Sequence, residues 1–351
     1  MRPSVLALMT VCAALAQQPR IANAKLQSRP AGSGLEPVLQ SILAAQSAPA
    51  WIGYSVPIVA GGHQSCCWNN GAMGGCALEP HPEGNTAVVN GNRTVQLEGA
   101  TQLFVLLRAE GNKIVKVRTF TPDCDIDAGG LPVYWLTDVR PGESVRYLSG
   151  LAKNSAGTRD EERRNESAIT ALALHADASA DGALESLAAP GQPDSLRRKA
   201  IFWLGNARGR RGYEVVSRIV REDPNDKLRE HAVFALTQSK EPDAIPAVIR
   251  VAREDKVAKV RGQALFWLAQ RAGRKIAASE LNRAIENDPE TEVKKKAVFG
   301  LTLLPENEGI PMLIQVARAN RNPAVRKQAM FWLGQSKDPR ALSFFEEILA
   351  R

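Results

Sequence analysis

The sequence predicts a mainly α-helical protein, in which a small β-rich domain precedes an α-solenoid of about six helix pairs. Three observations carry that prediction. The phrase KAIFWLG returns as HAVFALT, QALFWLA, KAVFGLT and QAMFWLG, placing its alanines at Ala200, Ala232, Ala264, Ala297 and Ala329 with a period of 32 or 33 residues. A fixed period of that length marks stacked repeats, each of which buries its apolar face only against its neighbours. Strand-like alternation is confined to residues before about 140, and every cysteine lies there too.

Taken in order, Met1-Arg2 leads into an apolar run from Val5 to Ala16. The run is too short to span a bilayer and ends on the small residues Ala14-Leu15-Ala16, the pattern of a secretory signal over 1–16, with an alternative end at Ala24. Residues 17–34 are rich in Gln, Pro, Gly and Ser and are expected to be a disordered linker. Leu35, Val38, Leu39, Ile42 and Leu43 then fall at helical spacing. Leu103–Leu107 and Ile114–Phe120 flank Ala109-Glu110-Gly111-Asn112 as a β-hairpin, with Val115, Val117 and Thr119 alternating against Lys116 and Arg118. Gly129-Gly130-Leu131-Pro132 shapes a loop, and the adjoining Tyr134-Trp135 is expected to pack on the first repeat. Pro141-Gly142-Glu143 opens a helix through Val145, Leu148 and Leu151. The small N-terminal domain is thus expected over 35–155 and the repeats over 160–351, with the boundary near 155–165.

Once the signal is removed, Cys66, Cys67, Cys76 and Cys124 remain. Four cysteines in one small domain of an exported chain read as two disulfides, and a vicinal Cys66–Cys67 bond is geometrically poor, so Cys76 and Cys124 each take one of that pair. Two rival uses of the sulfurs are a zinc site, for which Cys-Cys-x8-Cys is an unusual spacing, and a nucleophilic thiol served by His63. Asp123, Asp125 and Asp127 begin like a calcium loop, but Ala128 and Tyr134 stand where a turn glycine and a bidentate glutamate belong. Turn and capping roles are the plainer reading of these aspartates.

Each repeat holds two helical stretches. In the first, Leu196, Leu228, Val260, Val293 and Val325 lie four before the alanine, and Leu204, Leu236, Leu268, Leu301 and Leu333 four after it, all on one face. A basic residue stands three before the alanine: Arg197, Arg229, Arg261, Lys294 and Arg326. Asp223-Pro224, Asp288-Pro289 and Asn322-Pro323 punctuate the helix starts. The pattern Val325-Arg326-Lys327-Gln328-Ala329 through Leu333-Gly334 resembles the HEAT-repeat family, in its short PBS-lyase HEAT-like form. The resemblance covers 160–351 and implies a right-handed solenoid whose Val-Arg helices line the concave side. It says almost nothing about activity. Its relatives include bilin lyases and a di-iron hydroxylase, and the latter needs paired His-Glu motifs. The histidines here are His63, His81, His175 and His231, none followed by Glu. No catalytic residue and no cofactor is assigned on this basis.

Two positions depart from a plain repeat. Three after the alanine, Trp203, Ala235, Trp267, Gly300 and Trp332 alternate large with small, which predicts an interlocking core. Two after the alanine stand Phe202, Phe234, Phe266, Phe299 and Phe331, roughly 200° around the helix and away from that core. Arg198, Lys295 and Lys327 share this outer face. The phenylalanines either pack laterally, repeat on repeat, or form an aromatic ladder with basic flanks that binds a protein or peptide carrying acidic residues.

The formal charge is +8, most of it in residues 161–351, with both signs interspersed as on a solvated helical surface. Nucleic acid is not the expected partner of such an exported chain, and no stable membrane insertion is expected. Phe344 and Phe345 cannot both point inward, so the C-terminal repeat edge is a candidate for self-association. The reading is therefore an exported, non-enzymatic scaffold or adaptor; the alternative is an enzyme of the bilin-lyase or oxidoreductase HEAT type, or one using thiol chemistry in the cysteine domain, with the repeats recruiting substrate.

Overall fold

The computed structural model describes residues 19–61, 66–69, 72–73, 76–80, 99–153 and 157–350. They form two compact units that divide at Ser144/Val145, earlier in the chain than the boundary expected near 155–165. The expected signal segment 1–16, His63 and His81 lie outside the described residues. No helix of the described residues is long and apolar enough to cross a membrane.

The first unit contains β1 (Ile21–Ala22), β2 (Lys25–Pro30), α1 (Leu35–Ala45), β3 (Ala50–Pro57), β4 (Trp68–Asn69), β5 (Ala72–Met73) and β6 (Cys76–Ala77). It continues with β7 (Gln102–Glu110), β8 (Lys113–Phe120), β9 (Ile126–Asp127), β10 (Pro132–Thr137) and the start of α2 (Pro141–Lys153). Its main sheet has the order β2-β10-β3-β7-β8; β10 runs parallel to β2 and β3, and the β3-β7-β8 pairs are antiparallel. The unbroken apolar run Leu103–Leu107 marks a strand buried on both faces. On one face Trp51, Phe104, Leu106, Val133 and Trp135 join Cys76, Leu78, Cys124 and Ile126 in a single core. Gly53 sits beneath Trp135, where any side chain would collide with the indole and with Leu106. The hairpin turns through Gly111 and Asn112, both at positive φ (55° and 59°), the left-handed pair a two-residue turn demands.

Two expectations for this region need correction. Residues 21–30 are sheet, not disordered linker: β1 pairs with β9, β2 pairs along its length with β10, and Asn23 Nδ2 donates to Asp127 Oδ2 at 2.8 Å. An edge strand holds on through backbone hydrogen bonds alone, so a polar, exposed sequence such as KLQSRP can occupy it. Tyr134 and Trp135 belong to β10 and are buried within this unit's own sheet.

The second unit takes up the rest of α2 and then six helix pairs: α3 (Arg159–Leu174) with α4 (Ser179–Ala188), α5 (Asp194–Ala207) with α6 (Gly209–Glu222), and α7 (Asp226–Gln238) with α8 (Ala244–Glu254). They are followed by α9 (Ala258–Arg271) with α10 (Arg274–Asn287), α11 (Thr291–Leu301) with α12 (Glu306–Ala319), and α13 (Pro323–Gln335) with α14 (Pro339–Leu349). The array opens on a capping box, Thr158 with Glu161, and Asn225, Asn322 and Asp338 cap later helices through their side chains. The alanines and leucines of the recurring phrase are all buried. Neighbouring first helices lie against one another along the array, whereas neighbouring second helices meet only sparsely. The first helices therefore form the inner, concave layer. At the end of the array Phe344 points inward and Phe345 is half-buried.

The basic residue three before each alanine ties one repeat to the next. Arg229 on α7 donates to both oxygens of Asp255, ahead of α9, at 3.1 and 3.2 Å. Its third nitrogen donates to the Asp223 carbonyl at 2.9 Å. Arg261 repeats the pattern with Asp288 (2.8 and 2.8 Å) and the Asp255 carbonyl (2.9 Å), and Arg197 pairs with Asp223. Each aspartate also accepts from the backbone N–H two residues on, at Asn225, Val257 and Glu290. The series lapses at the fifth pair, where Lys294 donates instead to the carbonyls of Ile285 and Glu286 and Asn320 replaces the aspartate.

Breaking a buried ion pair on one side leaves the other charge desolvated and costs about 3–5 kcal/mol. Asp255→Ala strands Arg229, which is 2% exposed, and is expected to destabilise the array by that amount. Asn320→Ala, which strands no charge, is expected to cost about 1 kcal/mol. Urea unfolding followed by far-UV circular dichroism measures both; equal losses would contradict the ladder.

His175, fully buried after α3, has its imidazole pushed down to about 4 by burial and by Arg208, against a favourable Asp177. The unfolded chain takes up this proton first, so stability is full above about pH 6.5 and falls as pH drops toward 4. At about 1.4 kcal/mol per unit of pKa difference, roughly 3 kcal/mol is expected to go across that window. His175→Gln should flatten the loss when urea midpoints at pH 7 and pH 4.5 are compared.

Candidate functional site

The phenylalanines and tryptophans of the recurring phrase meet on the concave layer. Following the array, Trp203 contacts Phe202 (5.3 Å between centroids), Phe202 stacks on Phe234 (5.9 Å, 18°), and Phe234 leans on Trp267 (4.7 Å). Trp267 meets Phe266 edge-on (5.0 Å), Phe266 stacks on Phe299 (6.3 Å, 5°), and Phe299 leans on Trp332 (5.1 Å), which meets Phe331 (5.0 Å). Eight rings thus run in contact across five repeats. Offset and edge-on arrangements at such separations add about 0.5–1.5 kcal/mol per pair beyond area burial.

None of the eight rings is fully buried. Seven are half-buried, and Phe331 is 52% exposed. The phenylalanines thus pack laterally from repeat to repeat and still show ring surface. The tryptophans are half-buried beside the phenylalanines, each with its indole Nε1 buried, while the small residues alternating with them, Ala235 and Gly300, are buried. A side chain at Gly300 would run into Leu281. Three positions beyond the alanine is about 300° around the helix, a direction between the buried alanine face and the phenylalanine row.

Between α9, α11 and α13 the row opens into a groove of about 490 Å³, lined by Gln263, Phe266, Glu292, Lys295, Lys296, Phe299 and Gln328. Lys295 pairs with Glu292 at 2.8 Å; Lys296, Arg198 and Lys327 are exposed. Upstream, Lys199 pairs with Glu166 and Lys259 with Glu230 across the same face. His231 sets its ring 6.1 Å from Phe234 and brings Nε2 within 2.8 Å of the Arg198 carbonyl. Burial lowers its pKa, opposed by that carbonyl, so it stays neutral near pH 7. The face offers apolar ring surface, cations and amides. Among the described residues no nucleophile, base and orienting group converge on it.

In the first unit the pairing of cysteines is Cys66 with Cys124 and Cys67 with Cys76, Cα atoms 5.3 Å apart in each. Sulfurs engaged in this way are not thiolate ligands, which removes the zinc reading. The calcium reading fails on geometry. Asp127 is buried and its carboxylate accepts from Asn23 and from the Gly129 N–H, the Asp125 carbonyl accepts from the Cys76 N–H, and Asp123 alone is exposed. The one cluster of metal-ligand type among the described residues is Cys66, Asp123 and Cys124, which contains a disulfide.

Comparison with known proteins agrees on the repeats. The family model for HEAT repeats matches residues 180–269 and 278–351. Among solved structures, the complex of CpcE and CpcF of phycocyanin lyase from Nostoc sp. is similar at 18% identity, over 56% of this chain and 77% of that one, with a TM-score of 0.32. Human deoxyhypusine hydroxylase in complex with glycerol is similar at 14% identity, over 60% and 81%, with a TM-score of 0.29. Likeness at this level assigns no activity. No curated protein matches the chain.

The exposure gradient along the row makes a mechanical prediction. Leu268→Ala removes a fully buried side chain and is expected to cost about 2–5 kcal/mol. Phe266→Ala, half-buried between Trp267 and Phe299, is expected to cost about 2 kcal/mol, and Phe331→Ala under about 1 kcal/mol. Urea denaturation of the three variants tests this order; a Phe331→Ala loss as large as that of Leu268→Ala would show that the row is core.

Proposed function

From a chain whose residues 180–351 belong to the HEAT-repeat family, we propose a scaffold or adaptor that captures a protein or peptide segment on its concave face. The observation that carries this reading is the contiguous row of eight partly exposed rings, opened by a groove at Phe266 and Phe299. Large rigid rings supply binding area at little entropic cost, and clusters of them dominate the energetics of many interfaces. Lys296, Lys327 and Arg198 border the row, so a segment with acidic side chains complements it. Export through the 1–16 segment is part of the proposal, and two disulfides in one small unit are what an oxidising compartment permits.

The test is site-specific photocrosslinking in the native envelope. Phe299 is replaced by a benzoylphenylalanine crosslinker, and Ile276 on the second-helix layer, 44% exposed, receives the same group as control. Discrete adducts are expected from position 299 and not from 276. Adding Phe331→Ser and Lys296→Glu, both at exposed positions, should reduce the adducts at least tenfold while leaving the unfolding midpoint close to wild type. Equal labelling from the two positions, or adducts indifferent to the double substitution, would sink the concave-face reading.

A further inference from the structure

The two disulfides of the first unit sit in opposite electrostatic surroundings. Arg118, on β8, directs Nη2 to Cys67 Sγ at 3.3 Å. Its guanidinium is half-buried, lies 5.0 Å over the Phe120 ring, and has that sulfur as its only hydrogen-bond acceptor among the described residues. Burial disfavours its charge, and among the described residues no carboxylate compensates for it. The partner sulfur is served as well, because the Cys67 backbone N–H donates to Cys76 Sγ at 2.8 Å. A disulfide sulfur is a weak acceptor, whereas a thiolate is a strong one. The donors aimed at Cys67 and Cys76 are therefore better satisfied after the bond has opened than before.

Around Cys66–Cys124 the sign is reversed. A carboxylate oxygen of Asp123 lies within 4.8 Å of both sulfurs, and the Cys124 sulfur is 3.4 Å from the Thr121 hydroxyl. A nearby anion opposes thiolate formation and holds the bond oxidised. Cys66–Cys124 is thus the structural bridge.

We propose that Cys67–Cys76 is a redox-active disulfide, with Arg118 as the positioning residue that stabilises the Cys67 thiolate. Its reaction partner is a dithiol, or in the reverse direction a disulfide. Cys76 is fully buried and Cys67 half-buried, so the incoming thiolate attacks Cys67 Sγ. A bond forms between the reductant's sulfur and Cys67, the Cys67–Cys76 bond breaks, and Cys76 leaves as a thiolate held by the Cys67 N–H. The reductant's second thiolate then attacks its own first sulfur, closing the reductant's disulfide and expelling Cys67 as a thiolate against Arg118. Two electrons pass from the dithiol to the protein. Of the dithiol's two protons, one goes to Cys76 and one to solvent.

The test equilibrates the full oxidised chain in graded ratios of reduced to oxidised dithiothreitol, traps free thiols by alkylation, and quantifies each cysteine peptide by mass spectrometry. Cys67–Cys76 is expected to open at a ratio at least tenfold lower than Cys66–Cys124, equivalent to about 30 mV for a two-electron couple. In the reduced protein, the rate of Cys67 alkylation against pH should report a thiolate pKa below the usual 8.5 or so of a free cysteine. Arg118→Met should move the midpoint at least tenfold toward more reductant and return the alkylation profile to that of an ordinary thiol. Arg118→Lys, which keeps the charge, should retain most of both effects. Simultaneous opening of the two bridges in the wild type overturns the proposal without recourse to any variant, as does an Arg118→Met midpoint equal to wild type.

Discussion

The second unit depends on one interaction repeated: an arginine buried in the first helix of a repeat, held between the aspartate carbonyl before its own helix and the aspartate carboxylate before the next. Arg229 and Arg261 each make this three-point contact. Apolar stacking alone is non-directional and would tolerate a range of rotations between repeats. A planar guanidinium engaging a carboxylate through two nitrogens fixes distance and angle together. The same carboxylate also accepts from the backbone N–H two residues on, which shapes the turn leading into the following helix. Burial works against the charge of Asp288, yet the hydrogen bonds from Arg261 hold its carboxyl below the usual range. One pair thus joins the turn before a helix to the arginine-bearing helix of the preceding repeat.

That constraint explains the concave row. First helices drawn together by the clamp place the residue two past each alanine close to its counterpart in the next repeat, near enough for Phe202 to stack on Phe234 and Phe266 on Phe299. Where the clamp changes character, at Lys294 and Asn320, the row opens into the groove beside Phe299. A lysine ammonium satisfied by two carbonyls fixes no plane, so the joint to the last repeat relies on apolar packing, on the ring contact of Phe299 with Trp332, and on separate polar contacts such as Asn322 Nδ2 to Thr291 Oγ1 at 2.9 Å and Arg340 Nη2 to the Glu306 carbonyl at 3.0 Å.

Much of this was legible in the sequence, for reasons that can be stated residue by residue. The period of Ala200 through Ala329 and the leucines four beyond specify a stack because burial imposes one face on every copy. The face of the phenylalanines followed from helical geometry. The partners of the arginines did not, although the signal was present: Asp223, Asp255 and Asp288 keep the same period, each 26 or 27 residues beyond its arginine. Asp223 and Asp288 read as helix punctuation, and Asp255 drew no reading, because a turn residue and an ion-pair partner look alike in one dimension. The tryptophans are ambiguous for a related reason, since alternation of large and small residues fits either an interlocked core or its rim. The strands at 21–30 left no pattern at all, because an edge strand is specified by its neighbour's backbone.

The two units consequently answer to different chemical variables. The array holds its repeats by buried ion pairs, a neutral buried histidine and apolar contact, and has no cysteine beyond Cys124 to respond to electrons. Its vulnerable groups are those whose charge must be right, so protons are what loosen it. In the first unit the sheet core is crossed by two covalent bridges, and the nearest charges, Arg118 at one and Asp123 at the other, bias how readily each opens. Mutual packing of Cys76 and Cys124 with Trp51, Phe104 and Trp135 means that either bridge, once open, leaves its sulfurs inside the same core. Reduction of the cation-flanked bridge therefore changes a local contact without dismantling the sheet, which the anion-flanked bridge continues to cross-link across 58 residues of chain. A fold arranged in that way can carry an exchangeable bond because a second, less exchangeable one is beside it.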